Sequence, residues 1–285
     1  MNDPVINRRT LLRVGAGACA GMLLFDQGGA RAASAPFVSR RIAVTTRGQG
    51  RDVLLIPGLA SGPGLWSDVL DKIPGCRWHL VHVRGFAGLA PDANASGPLI
   101  QPIADEIARY VRTAGLVRPA VVGHSMGGTL AMMLGLKAVA ARIMVVDMLP
   151  AGAAMVGGTA RGMGYLAGQL SQYFTGTKAG RAYLAQILAE APGARGSDPD
   201  VIANALRDLA NVDLGPQLGR IGAPMEVVYA VGSDPAQSAQ IGRTFRAAYA
   251  AKKDVKLAPI GPSGHVVMED QPARFAAALK QFLIR

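Results

Sequence analysis

Short apolar runs of strand length alternate along this chain with segments of helical periodicity. The runs have few polar positions, which is typical of strands buried on both faces. They lie at 52–57, 78–83, 119–123, 142–147 and 225–231, and a similar run covers 255–260. Apolar residues recur at helical spacing in two segments. One contains Ile103, Ile107, Val111 and Ala114, and the other contains Phe275, Leu279, Phe282 and Leu283. This alternation predicts an α/β fold in which helices cover a mostly parallel sheet.

Composition agrees with a well-buried globular protein. Of the 285 residues, 50% are hydrophobic and 17% are charged, which excludes an acidic or low-complexity disordered chain. The formal net charge of +11 is compatible with a nucleic-acid or anionic-membrane partner. However, the basic residues are scattered and form no stripe with interleaved aromatics, so nucleic-acid binding is not predicted.

The first 32 residues have the pattern of an export signal. The pair Arg8-Arg9 precedes a Gly/Ala-rich apolar stretch, and Ala30-Arg31-Ala32 supplies a small-residue cleavage site. The segment resembles a twin-arginine signal, so we expect the twin-arginine machinery to export the chain, cleavage after Ala32, and a periplasmic or secreted protein. The apolar stretch is shorter than the roughly 20 residues of a spanning helix. No stable membrane anchor is therefore expected, and an uncleaved anchor is the alternative.

Between about residues 150 and 220 the strand-helix alternation stops. Helical stretches at 181–189 and 201–209 suggest a cap over the carboxyl ends of the strands, where open α/β sheets bind ligands. Ordinary crossover helices are the alternative. The predicted core then consists of two parts, 33–149 and 221–285.

Neither a disulfide nor a metal or cofactor is predicted. Of the two cysteines, Cys19 lies in the predicted signal, which leaves Cys76 alone in the mature chain. His79 and His82 fall on one predicted strand, where their side chains point to opposite faces.

The sequence Gly123-His124-Ser125-Met126-Gly127 matches G-x-S-x-G. It follows a predicted strand and precedes the helix-forming run 129–134, which is the context that this motif requires. A serine between strand and helix sits on a strained turn, and the flanking glycines keep Cβ atoms out of a crowded space. Ser125 is therefore the predicted nucleophile.

A serine hydroxyl needs a neighbouring base. Of the four histidines, His124 adjoins the serine and is expected to point elsewhere, while His79 and His82 lie on an earlier strand. His265 lies in a turn-rich loop before the last predicted helix, and from there it can reach back to Ser125.

With these residues in this order, the chain resembles the α/β-hydrolase family over roughly residues 40–285. The resemblance rests on the Gly-His-Ser-Met-Gly-Gly turn, the late Gly264-His265 pair and a Gly-rich loop after an early strand. It implies a triad acid between the serine and the histidine in chain order. Asp234, after the penultimate strand, is favoured. The alternative is Asp147, at the end of the strand that follows the helix-forming run 129–134.

The resemblance also implies an oxyanion hole formed by the backbone N–H groups of Leu59 and Met126. Two positions depart from the family pattern: Pro57-Gly58 replaces the common His-Gly, and His82 stands where relatives often carry Asp. The expected substrate pocket is lined by Trp66, Phe86, Met155, Tyr165 and Tyr173.

The predicted function is acyl transfer from a small-molecule carboxylic ester to water by a Ser-His-Asp mechanism. A non-catalytic ligand-sensing protein of the same fold and a cofactor-free perhydrolase are the alternatives.

Overall fold

The computed structural model describes residues 37–152, 179, 182, 186 and 193–284. All of them belong to the unit that spans Ser34–Arg285. Seven strands form one sheet in the order β1-β3-β2-β4-β5-β6-β7. They are β1 (Ile42–Gly48), β2 (Arg51–Ile56), β3 (Cys76–Val83), β4 (Ala120–His124), β5 (Arg142–Val146), β6 (Met225–Ala230) and β7 (Lys256–Ile260). Only β1 runs antiparallel to its neighbour, and the predicted α/β fold class is confirmed.

Helices cover both faces of this sheet. The described α-helices are α1 (Ser67–Leu70), α2 (Ile100–Thr113), α3 (Met126–Leu136), α4 (Pro199–Ala210), α5 (Pro235–Ala248), α6 (Val267–Asp270) and α7 (Pro272–Ile284). Short 3-10 segments lie at Pro63–Trp66, Asp92–Asn94 and Gly215–Arg220. Within the described residues, no helix combines the length and the apolar character needed to cross a bilayer.

The core has two layers because successive side chains of a strand point to opposite faces. Along β2, Leu54 and Ile56 pack with residues of α2, α3 and α5, whereas Val53 and Leu55 pack with residues of α1 and α7. Both faces are buried, which explains why the parallel strands read as continuous apolar runs.

Strand β1 was not predicted from the sequence. It lies at the sheet edge, and most of its residues, such as Thr45 and Arg47, are partly or fully exposed. An edge strand lacks the apolar run that identifies its buried neighbours.

The predicted cap and export signal extend over residues outside the described ranges. The described part of 150–220 contains α4, the segment Gly215–Arg220 and an isolated bridge between Ala151 and Asp213. The cap boundaries and the signal at 1–32 therefore stay predictions.

Candidate active site

Ser125 occupies a strained turn between β4 and α3. Its backbone angles are φ 53° and ψ −122°, and its N–H donates to the Val146 carbonyl at 2.9 Å. A Cβ on Gly123 would lie 1.9 Å from the Gly127 carbonyl oxygen, and one on Gly127 would lie 2.2 Å from the Ile56 carbonyl oxygen. Gly123 thus allows β4 to approach the start of α3, and Gly127 allows the start of α3 to approach the end of β2, at separations that any side chain would prevent.

His265 contacts Asp147 at the carboxyl edge of the sheet. The distance from His265 Nδ1 to Asp147 Oδ2 is 2.7 Å. The other carboxylate oxygen, Oδ1, accepts from the Ala230 N–H at 2.9 Å, and the Asp147 N–H donates to the Val228 carbonyl at 2.7 Å. Strand β6 therefore fixes the carboxylate, whose side chain is 10% exposed while that of His265 is 44% exposed.

The favoured acid, Asp234, does not contact His265, so this prediction is wrong. The residue that contacts His265 is the alternative, Asp147. The Asp234 carboxylate accepts from the Ala236 N–H at 2.7 Å and caps the N-terminus of α5. An Asp followed by Pro at the start of a helix is a common capping arrangement, because the carboxylate satisfies free N–H groups and proline fits the first turn.

His124 lies against the ring of His265, and the expectation that it points elsewhere is also wrong. The ring centroids are 4.7 Å apart, and His124 Nε2 lies 2.9 Å from the His265 carbonyl oxygen. Burial lowers the pKa of His124 to about 4, and the charge of a protonated His265 acts in the same direction. A neutral ring must donate from Nε2 to this carbonyl, so His124 anchors the backbone that carries His265.

The loop after β2 passes directly beside Ser125. A Cβ on Gly58 would lie 3.2 Å from Ser125 Cβ and 2.8 Å from His124 Nδ1. Within the described part of the chain, the backbone N–H groups of Leu59 and Met126 donate to no acceptor. Ser125 Oγ likewise forms no hydrogen bond with a described residue. The free N–H groups thus belong to the residues that follow Gly58 and Ser125, two positions that lie side by side in the structure.

The predicted pocket residues separate into two groups. Trp66 and Phe86 are both 0% exposed and belong to the two core layers, with Trp66 packed on Phe275 at a centroid distance of 6.3 Å. Both side chains are enclosed by the core, so neither lines an open pocket as predicted. Met155, Tyr165 and Tyr173 lie outside the described residues.

The remaining histidines form local contacts. His79 bonds to Tyr110 Oη at 2.6 Å and to Asp52 Oδ1 at 2.9 Å, while His82 Nε2 bonds to the Phe86 carbonyl at 2.9 Å. In the ranges that the structure describes, no group of three or more His, Cys, Asp or Glu residues could hold a metal ion.

A mostly parallel sheet with a strained serine turn and a histidine-aspartate pair at its carboxyl edge defines the class of α/β hydrolases. The sequence profile described as "Alpha/beta hydrolase family" matches residues 53–278. The chain belongs to this family. A search of the curated proteins finds no match.

Solved structures share the fold at low sequence identity. An esterase from Exiguobacterium antarcticum has a TM-score of 0.67 at 17% identity, over 86% of this chain and 96% of that one. A thermophilic esterase from Thermogutta terrifontis has a TM-score of 0.66 at 18% identity, over 85% and 92% of the two chains. The enol-lactonase from Burkholderia xenovorans LB400 has a TM-score of 0.62 at 18% identity, over 86% and 96%.

Proposed function

We propose that this protein is a serine hydrolase of carboxylic esters in which Ser125, His265 and Asp147 form the triad. The observation that carries the proposal is the 2.7 Å contact between His265 and Asp147 at the edge where Ser125 occupies its strained turn. A carboxylate that accepts from Nδ1 leaves Nε2 as the basic nitrogen, which is the tautomer that a triad requires.

In the proposed reaction Ser125 Oγ attacks the ester carbonyl while its proton passes to His265 Nε2. The oxygen of the tetrahedral intermediate accepts from the Leu59 and Met126 N–H groups, which are free in the described structure. His265 then protonates the leaving alcohol, and a water molecule repeats the sequence to release the acid. The hydrogen bond between Ser125 and His265 is expected to form in the substrate complex, since such bonds often tighten only there.

The ester class is supported by the family and by neighbours that are named as esterases. A lactone is a cyclic ester and would react by the same steps, so lactones belong in the substrate panel. The proposed location, periplasmic or secreted, is supported only by the twin-arginine pattern at the N-terminus.

A fluorophosphonate probe tests the triad directly. We expect the wild-type protein to be labelled and Ser125→Ala and His265→Ala to lose labelling. Asp147→Asn should reduce ester hydrolysis by roughly a thousandfold or more, because the amide stabilises the wrong tautomer of His265. Asp234→Asn is the matched control, since its carboxylate only caps α5, and it should retain activity.

Two results would contradict the proposal: a wild-type protein that is never labelled, or loss of hydrolysis in Asp234→Asn with activity retained in Asp147→Asn. A panel of p-nitrophenyl esters from acetate to palmitate then measures the preferred acyl length.

A further inference from the structure

A cavity of about 430 Å³ is lined by segments that follow Leu59 and His265 in the chain. Segment 61–65, which follows Leu59 in the loop after β2, forms one side, and His82 near the end of β3 forms another. Val266 and Glu269, which follow His265 in the chain, complete the wall on the side of the proposed base. The cavity is therefore bounded by the two chain segments that carry the proposed oxyanion donor and the proposed base.

The charge of this cavity is opposite to that of the protein as a whole. Although the chain has a net charge of +11, Glu269 is the charged side chain among the described lining residues, and no lysine or arginine is among them. The Glu269 carboxylate is exposed and has no ion pair or hydrogen bond with any residue that the structure describes. A free carboxylate attracts a cation.

His82 adds a second acceptor to the same wall. Burial lowers the pKa of His82 and so favours the neutral form of the ring. Its Nε2 donates to the Phe86 carbonyl at 2.9 Å, and a neutral imidazole that donates from one nitrogen accepts at the other. In the described part of the chain, Nδ1 has no hydrogen-bond partner. Carboxylate and imidazole thus both favour a ligand group that donates hydrogen bonds or carries positive charge.

The position of the cavity indicates which part of an ester it would hold. In the proposed reaction His265 protonates the leaving oxygen, so the alcohol portion must lie on the side of the imidazole. Val266 is the next residue after His265, and Glu269 lies on α6 directly beyond it. The alcohol portion is therefore the part that reaches this cavity.

We propose that this cavity binds a cationic alcohol portion of the substrate, such as an ammonium-bearing ester, with Glu269 as the residue that selects the charge. The inference rests on the proposed ester hydrolysis and specifies its substrate class. Glu269 acts on substrate binding and takes no part in bond making or breaking.

Two esters of the same shape test the effect of a positive charge on the alcohol portion. Acetylcholine and 3,3-dimethylbutyl acetate share the acyl group and the shape of the alcohol but differ in one positive charge. We expect the wild-type protein to have a kcat/KM about fivefold higher for acetylcholine, which is the size of effect that one partly exposed ion pair gives. Glu269→Gln should remove this preference by raising KM for acetylcholine.

Asp71→Asn is the matched control, because Asp71 is an exposed acid at the opposite edge of the sheet, near the start of β3. It should keep the preference. Equal kcat/KM values for both esters in the wild-type protein, or a preference that survives Glu269→Gln, would overturn the inference. Failure to hydrolyse either ester while the fluorophosphonate still labels Ser125 would also overturn it, whereas absence of labelling would overturn the proposed function itself.

Discussion

At the residue scale, backbone conformation and hydrogen bonds distinguish Asp147, which contacts His265, from Asp234, which does not. Asp147 directly follows β5, and Asp234 follows β6 of the same sheet. Asp147 adopts a left-handed backbone conformation with φ 49°, which a non-glycine residue rarely does. Its N–H and both carboxylate oxygens are bonded, so the surrounding structure holds the strained conformation in place.

Tyr249 supports the turn that presents this acid. Its hydroxyl donates to the carbonyl of Met148, the residue after Asp147, at 2.7 Å, and the side chain is fully buried. Tyr249→Phe leaves that carbonyl without a donor, so we expect a loss of about 1–3 kcal/mol in the free energy of unfolding. We also expect a lower kcat for ester hydrolysis with little change in KM, measured by steady-state kinetics.

Tyr229→Phe is the control for this change. Tyr229 stacks on Phe245 as Tyr249 does, but its hydroxyl forms no hydrogen bond with a described residue. A reduction in kcat of the same size in both variants would contradict a specific role for the Tyr249 hydroxyl.

Secondary-structure elements approach one another closely at the serine turn. Strand β4 reaches the start of α3 because Gly123 carries no side chain, and the start of α3 reaches the end of β2 because Gly127 carries none. The helix begins directly after Ser125, so its free N–H groups and its dipole favour negative charge at that end. The motif predicted its local context correctly: a strand before Ser125 and a helix after it.

Gly123→Ala tests the close approach of the two elements. Its Cβ would lie 1.9 Å from a backbone oxygen, so β4 and α3 would have to separate. We expect a loss of about 3 kcal/mol or more in the free energy of unfolding, measured by urea denaturation, and loss of probe labelling.

Gly222→Ala provides the comparison, because a Cβ there meets nothing within 4 Å. Its free energy of unfolding should change by no more than about 0.5 kcal/mol. Similar losses in both variants would show that the effect comes from glycine replacement in general.

At the scale of the whole molecule, burial disfavours the charged form of three histidines. Burial lowers the pKa values of His79, His82 and His124, the last to about 4. In the unfolded chain these residues bind protons below about pH 6.5. The unfolded state therefore binds more protons than the folded state between pH 6.5 and 4, and stability must fall as the pH falls through this range.

We expect His124 to account for a loss of about 2 kcal/mol in the free energy of unfolding between pH 7 and pH 5. Urea denaturation at the two pH values measures the loss in the wild-type protein and in His124→Gln. The variant should show a smaller difference between the two pH values. An unchanged difference would contradict this, because it would mean that His124 binds protons equally in the folded and unfolded states.

Several features of this protein were predictable from local sequence pattern: the six strands β2 to β7, the helices at 100–113 and 272–284, and a serine between a strand and a helix. These features depend on the spacing of apolar residues and on glycine, which act within a few residues of one another.

Tertiary structure alone decided which acid reaches His265, that His124 contacts it, and that Trp66 and Phe86 belong to the core. His265 and Asp147 are 118 positions apart in sequence. Their contact depends on how parallel strands lie side by side and how their loops turn at one edge. No short-range pattern encodes that arrangement, whereas the capping role of Asp234 is local and follows from the proline after it.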